Sequence, residues 1–130
     1  SAIAHLNEDL RLRGKIINYN NIELSVVMPI YQTYEIYLRE AIESVLEQTY
    51  SDFEFLIVND SPHDDLRLQQ IVASYNDDRI IWIPCKLNNG IAIASNIGIN
   101  RSQGSLIAMM DHDDVCIPTR FEQQIKFLKN

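Results

Sequence analysis

Three carboxylates in four positions, Asp111, Asp113 and Asp114 of Asp111-His112-Asp113-Asp114, are the densest chemical feature of the sequence. Crowded like charges cost free energy unless a counter-charge sits among them. Hard oxygen donors of this kind suit Mg2+ or Mn2+. In an extended segment, alternation points Asp111 and Asp113 to one side, where they share an ion directly or through water, and His112 faces outward. Taken alone, the same residues read equally well as a solvated acidic turn capping the next helix. Position favours the metal: the motif follows the apolar run Leu106-Ile107-Ala108-Met109-Met110, and strand ends of α/β sheets are where ligands bind.

Other candidates are individually weaker. Asp60, in Asn59-Asp60-Ser61-Pro62, can accept hydrogen bonds from a base N–H or a ribose hydroxyl, or else serve as a helix cap or Asx-turn. Tyr31, two residues after Pro29, can stack on a nucleobase or be an ordinary half-buried tyrosine. In Asn88-Asn89-Gly90 the glycine permits a tight turn, and the following helix offers N–H groups to phosphate; a plain turn and cap accounts for it too. Asn96 falls within a helical stretch, where asparagine is a mediocre former, and either reaches a ligand or bonds nearby backbone. His5, His63 and His112 share no context, so no Ser-His-Asp or Cys-His arrangement assembles, and neither a Walker-type loop nor G-x-G-x-x-G is found. Phosphate is thus left to a metal, helix ends, or cations such as Lys86 and Arg120.

The surrounding pattern sets the elements that must position these groups. From Ile22 onward, short apolar runs alternate with stretches of helical period. Strands are predicted over Glu23–Ile30, Phe53–Val58, Arg79–Ile83 and Ser105–Met110. Helices are predicted over Tyr34–Gln48, around Leu66–Tyr75, over Gly90–Arg101, and from Pro118, which suits a first helical turn. This repeating order predicts an α/β fold, a mostly parallel sheet flanked by helices. The groups after each strand then converge on one rim. Residues 1–21 have a different texture and read as a helix, Ile3–Leu12, and a connector.

Bulk properties narrow the class. At 130 residues the chain supports one domain with its own core, and its 46% hydrophobic and 22% charged residues are ordinary for a globular protein. The formal net charge of −7 opposes nucleic-acid binding, though a divalent ion can bridge an acidic site to a nucleotide diphosphate. No run is long enough to span a bilayer. Cys85 and Cys116 each adjoin apolar residues and read as buried free thiols in a reducing compartment. The expected location is the cytoplasm, the inner membrane surface included.

Residues 22–130 taken in order resemble the amino-terminal half of the inverting glycosyltransferases of family two, which have the Rossmann-like GT-A fold. The resemblance is carried by Ser25-Val26-Val27-Met28-Pro29-Ile30-Tyr31, by Leu38–Tyr50, by Asp52–Ser61, by Asn89-Gly90, by Ala94-Ser95-Asn96-Ile97-Gly98, by Gly104–Ala108 and by Asp111–Asp114. It implies a nucleotide side of the cleft formed by Pro29, Tyr31, Asp60, Asn89, Gly90, Asn96 and Asp111, with Tyr31 and Asp60 holding uridine. It implies Mn2+ or Mg2+ on Asp111, Asp113 and Asp114, and a nucleoside-diphosphate sugar, a UDP-sugar, as donor. The departures are Ser95 where the family usually has Arg, Gln32 where it usually has Asn, and Pro62-His63 after Ser61. The implied reaction is displacement at the anomeric carbon with inversion, in polysaccharide or glycoconjugate synthesis. The general base maps beyond Asn130, as does the acceptor-binding half. The expectation is therefore a fragment of a longer enzyme that binds nucleotide weakly with metal, transfers no sugar alone, and self-associates through the face the missing half would cover. The rival readings are a degenerate glycosyltransferase-like binding domain and a nucleotidyltransferase, the latter lacking its Gly-rich cationic loop here.

Overall fold

The computed structural model describes residues 22–129; the predicted helix at Ile3–Leu12 lies outside them. Four strands run β1 (Leu24–Ile30), β2 (Phe53–Asn59), β3 (Ile80–Pro84) and β4 (Leu106–Met109). Between and after them lie helices α1 (Glu35–Leu46), α2 (Asp65–Ala73), α3 (Ile91–Arg101) and α4 (Arg120–Lys129), with a short 3-10 turn at Pro62–Asp64 before α2. All pairings are parallel and the spatial order is β3-β2-β1-β4. Predicted elements are recovered with ends shifted by a few residues.

The last helix begins at Arg120 rather than Pro118. The Pro118 carbonyl accepts the Thr49 N–H (2.9 Å), and the first helical bond runs instead from Gln123 N–H to Thr119 O (3.0 Å). Pro118 is thus committed to the loop that closes α1.

Every residue of β1 and β2 is buried, as continuous apolar runs covered on both faces should be. On one face Val26, Met28, Ile30, Phe55 and Ile57 meet Leu38, Ile42 and Val45 of α1, Leu68 and Val72 of α2, and Phe121 of α4. On the other, Val27, Leu56, Val58 and Ile83 meet Ala94 of α3. Burying each Val, Leu, Ile or Phe contributes about 1.5–3 kcal/mol, so the two central strands and α1 dominate stability. Small residues let α3 approach closely. A Cβ added at Gly98 would stand 2.5 Å from Val27 Cγ1 and 3.0 Å from Val58 Cγ2.

The far end of the sheet is pinned by a buried polar knot. Glu54, at the start of β2, accepts hydrogen bonds from Ser25 Oγ and from the Gln103 N–H, while Ser25 Oγ accepts the Gly104 N–H at 2.8 Å. The knot fixes the loop that carries the chain from α3 into β4. No helix among the described residues is long and apolar enough to cross a membrane.

Candidate functional site

The chain leaves β1 for β2 and β3 on one side, then returns across β1 to place β4 on the other. The strand order therefore reverses between β1 and β4. Loops leaving two neighbouring strands in opposite directions open a crevice at their carboxyl ends, and such switch points are where open α/β sheets hold ligands. The loop Tyr31-Gln32-Thr33 forms one wall, and Asp111–Asp114 forms the other.

The first wall is tied to the second strand's loop. Gln32 N–H donates to Ser61 Oγ (2.7 Å), and Asp60 N–H donates to Ile30 O (2.9 Å). Gln32 has φ +48°, a left-handed conformation that L side chains other than Asn and Asp rarely adopt. Tyr31 is half-buried. Thr33, only 3% exposed, hydrogen-bonds through Oγ1 to His112 Nδ1. That bond joins the two walls.

Asn59 and Asp60 divide the two duties that the sequence left open for Asp60. Asn59 makes the Asx-turn: its Oδ1 accepts the Ser61 N–H (2.9 Å), and its Nδ2 donates to Ser61 O (3.2 Å) and to Asp65 Oδ1 (2.9 Å) at the start of α2. Asp60, 1% exposed, instead reaches across to the loop before α3. Its Oδ1 accepts the Asn89 N–H and its Oδ2 the Gly90 N–H, each at 2.9 Å. The carboxylate thus organises the Asn89-Gly90 turn, and each oxygen keeps one lone pair for a further donor. Gly90 sits at φ +93°, ψ 157°, and a Cβ added there would meet nothing within 4 Å. Glycine is required there by backbone conformation, not by space. Cys85, following β3, is buried, and its N–H donates to Asn59 O (2.9 Å). Burial and then the neighbouring Asp60 charge push its thiol pKa up, which keeps it an unreactive thiol.

The acidic segment departs from expectation in shape. Asp111–Asp114 is a turn closed by Asp114 N–H to Asp111 O (3.1 Å), not an extended strand end. Strand pairing to β1 stops at Met109, with Met110 N–H on Val27 O (2.9 Å) as the last rung. Alternation therefore does not govern where the aspartates point. His112, expected to face outward, is half-buried because Thr33 holds its ring. Asp111, Asp113 and Asp114 are exposed, and none is in an ion pair with a cation among the described residues.

Among the described residues no three His, Cys, Asp or Glu side chains are grouped so that together they could hold a metal ion. The exposed carboxylates of Asp111, Asp113 and Asp114 are the hard oxygen donors that would suit a divalent ion held by one or two of them. Arg120 does not line the crevice as a free phosphate-binding cation. Its guanidinium lies against Met110 Sδ (2.9 Å) and Met109 O (3.0 Å) and over the Phe121 ring. Lys86 is exposed on the loop after β3, and Asn96 is exposed on α3. Sequence reasoning missed Thr33, and only its place between Tyr31 and the first helix marked it.

A parallel sheet with helices on both faces and a reversal of strand order between β1 and β4 defines a doubly wound α/β domain. A family model described as glycosyl transferase family 2 matches residues 25–130, and the chain belongs to that family. It is 40% identical over 109 residues to an uncharacterized glycosyltransferase of Methanocaldococcus jannaschii, covering 82% of this chain and 37% of the relative. It is 39% identical over 101 residues to the putative colanic acid biosynthesis glycosyl transferase WcaA of Escherichia coli, covering 78% and 36%. The chain thus spans little more than a third of these relatives. Among solved structures, S. aureus TarS in complex with UDP superposes with a TM-score of 0.72 at 24% identity, over 83% of this chain and 32% of that one. The mannosyltransferase PcManGT of Pyrobaculum calidifontis, solved with GDP-Man and Mn2+, superposes at 0.71 with 18% identity, over 99% and 42%. These two likenesses establish the fold.

Proposed function

We propose that this chain is the donor-binding part of an inverting glycosyltransferase that takes a UDP-sugar with Mn2+ or Mg2+. The observation that carries the reading is the switch point, where the loop after β1 and the acidic turn after β4 are joined through Thr33 and His112. Tyr31 stacks on the uracil. Asp60 accepts a hydrogen bond from the base through a remaining lone pair while holding Asn89 and Gly90 in place. Asn89, Gly90 and Asn96 border the nucleotide, with Pro29 beneath it. Asp111, Asp113 and Asp114 hold the divalent ion, which when bound offsets negative charge on the departing diphosphate. That TarS was solved with UDP and PcManGT with GDP-Man and Mn2+ supports a nucleotide and a divalent metal as the ligands. The name of the WcaA relative, a putative colanic acid biosynthesis glycosyl transferase, supports a role in polysaccharide biosynthesis. The acceptor and the general base belong to the rest of the enzyme.

Calorimetric titration of the chain with UDP and Mn2+ tests the reading. Saturable heat is expected, weaker with EDTA, weaker with GDP, and lost in Asp111→Ala/Asp113→Ala. A folded chain that gives no heat with UDP and Mn2+ removes the proposal.

A further inference from the structure

We infer that Thr33 is a positioning residue for the metal side of this site, a role that rests on the nucleotide-sugar reading above. Thr33 Oγ1 lies 3.5 Å from Tyr31 O, a long contact, and reaches the acidic turn through His112. It is 3% exposed, and its hydroxyl meets His112 Nδ1 from a position 79 residues earlier in the chain. His112 stands between Asp111 and Asp113, so whatever fixes its ring fixes the turn that carries both carboxylates.

The anchor is itself held from behind. Thr33 O accepts a hydrogen bond from Arg67 Nη2 (2.8 Å), and the Arg67 guanidinium grips both oxygens of Asp64 at 2.8–3.1 Å. Gln32 N–H on Ser61 Oγ fixes the preceding residue. The Thr33 backbone is therefore set by α2 and the β2 loop, and the hydroxyl passes that setting to the acidic turn. This turn has no strand partner beyond Met110 and no ion pair of its own among the described residues. A single side-chain bond is then its tie to the base-side wall. Second-sphere hydrogen bonds that orient metal-binding groups change metal affinity about tenfold to a hundredfold when removed.

The test compares UDP affinity with Mn2+ and with EDTA for wild type, Thr33→Val, Thr33→Ser and His112→Leu. Thr33→Val keeps the side-chain shape without the hydroxyl. It is expected to lower Mn2+-supported UDP affinity on the order of tenfold while leaving the EDTA affinity unchanged. Thr33→Ser restores the hydroxyl and the Mn2+-supported affinity. His112→Leu, on an exposed turn, repeats the loss even where Thr33→Val does not fold. Mn2+-supported affinity equal to wild type in both Thr33→Val and His112→Leu overturns the positioning role while the functional reading stands. Equal losses with Mn2+ and with EDTA overturn it too, because they mark general damage to the loop. Wild type that shows no Mn2+-supported binding overturns the functional reading, and this inference with it.

Discussion

Asp60 shows how one buried carboxylate orders a binding loop. Each oxygen accepts one backbone N–H, so the geometry suits an acceptor-only group. Asp60→Asn turns an amide N–H2 toward one of those donors and leaves it unpaired. A loss of roughly 1–3 kcal/mol is expected, read as a lower urea midpoint, together with weaker UDP binding. The opposite sign is expected at Gln32, whose left-handed backbone (φ +48°) costs an ordinary residue about 1–2 kcal/mol. Its side chain is exposed, so Gln32→Gly is expected to raise stability by roughly 0.5–1 kcal/mol after the extra chain entropy of glycine. The acidic motif, Tyr31 and Asp60 were legible from the sequence as candidates because residue type and place after a strand suffice to mark them. Which donors Asp60 serves was not legible, since its partners lie 29 and 30 residues away. A still longer separation, 79 residues, hid Thr33: a threonine in a loop carries no signature until the strand order puts it beside His112.

At the level of elements, α3 sits on β1 and β2 through Gly98, and the space there is already filled by Val27 and Val58. Gly98→Ala has better helix propensity, yet the added Cβ would lie 2.5 Å from Val27 Cγ1, so overpacking wins. A destabilisation of about 1–3 kcal/mol is expected, measurable as a drop in melting temperature. Because α3 begins at the Asn89-Gly90 turn, the same change should also weaken nucleotide binding without touching it. Strands and helices were readable from apolar runs and helical period, since burial on both faces dictates the former and one packed face the latter. The ends were less so. The acidic segment curls into a turn where pairing with β1 stops, and Pro118 serves a loop carbonyl contact instead of opening α4. Both outcomes depend on tertiary partners that local propensity does not contain.

For the whole molecule, alternating elements dictated a parallel sheet, whereas the order β3-β2-β1-β4 followed only from coordinates. Crossover handedness selects a face for each helix but not which neighbour a strand joins. Beneath the sheet, Arg79 ties the start of β3 to the end of α1: it donates to Leu46 O and Ser51 O, lies over the Phe53 ring, and pairs with Asp77 at 2.8 Å. The hydrogen-bonded Arg79 guanidinium holds the Asp77 carboxyl below its ordinary value. A carboxyl with a folded pKa below its unfolded one adds its full stability above the unfolded value of about 3.9, and loses it as pH falls through the folded value. The urea-midpoint gap between wild type and Asp77→Asn should therefore be constant above about pH 5 and close as the solution is acidified below that. The bond between Thr33 and His112, 79 residues apart, has a kinetic meaning as well. The crevice does not exist until β4 has docked on β1, and contacts so distant in sequence require a long loop to close first. During synthesis, β1 and its first two partners can pair while the β4 edge of β1 waits uncovered. The rim closes only once Leu106–Met109 has paired with β1, so until then that edge of β1 stays open to other strands.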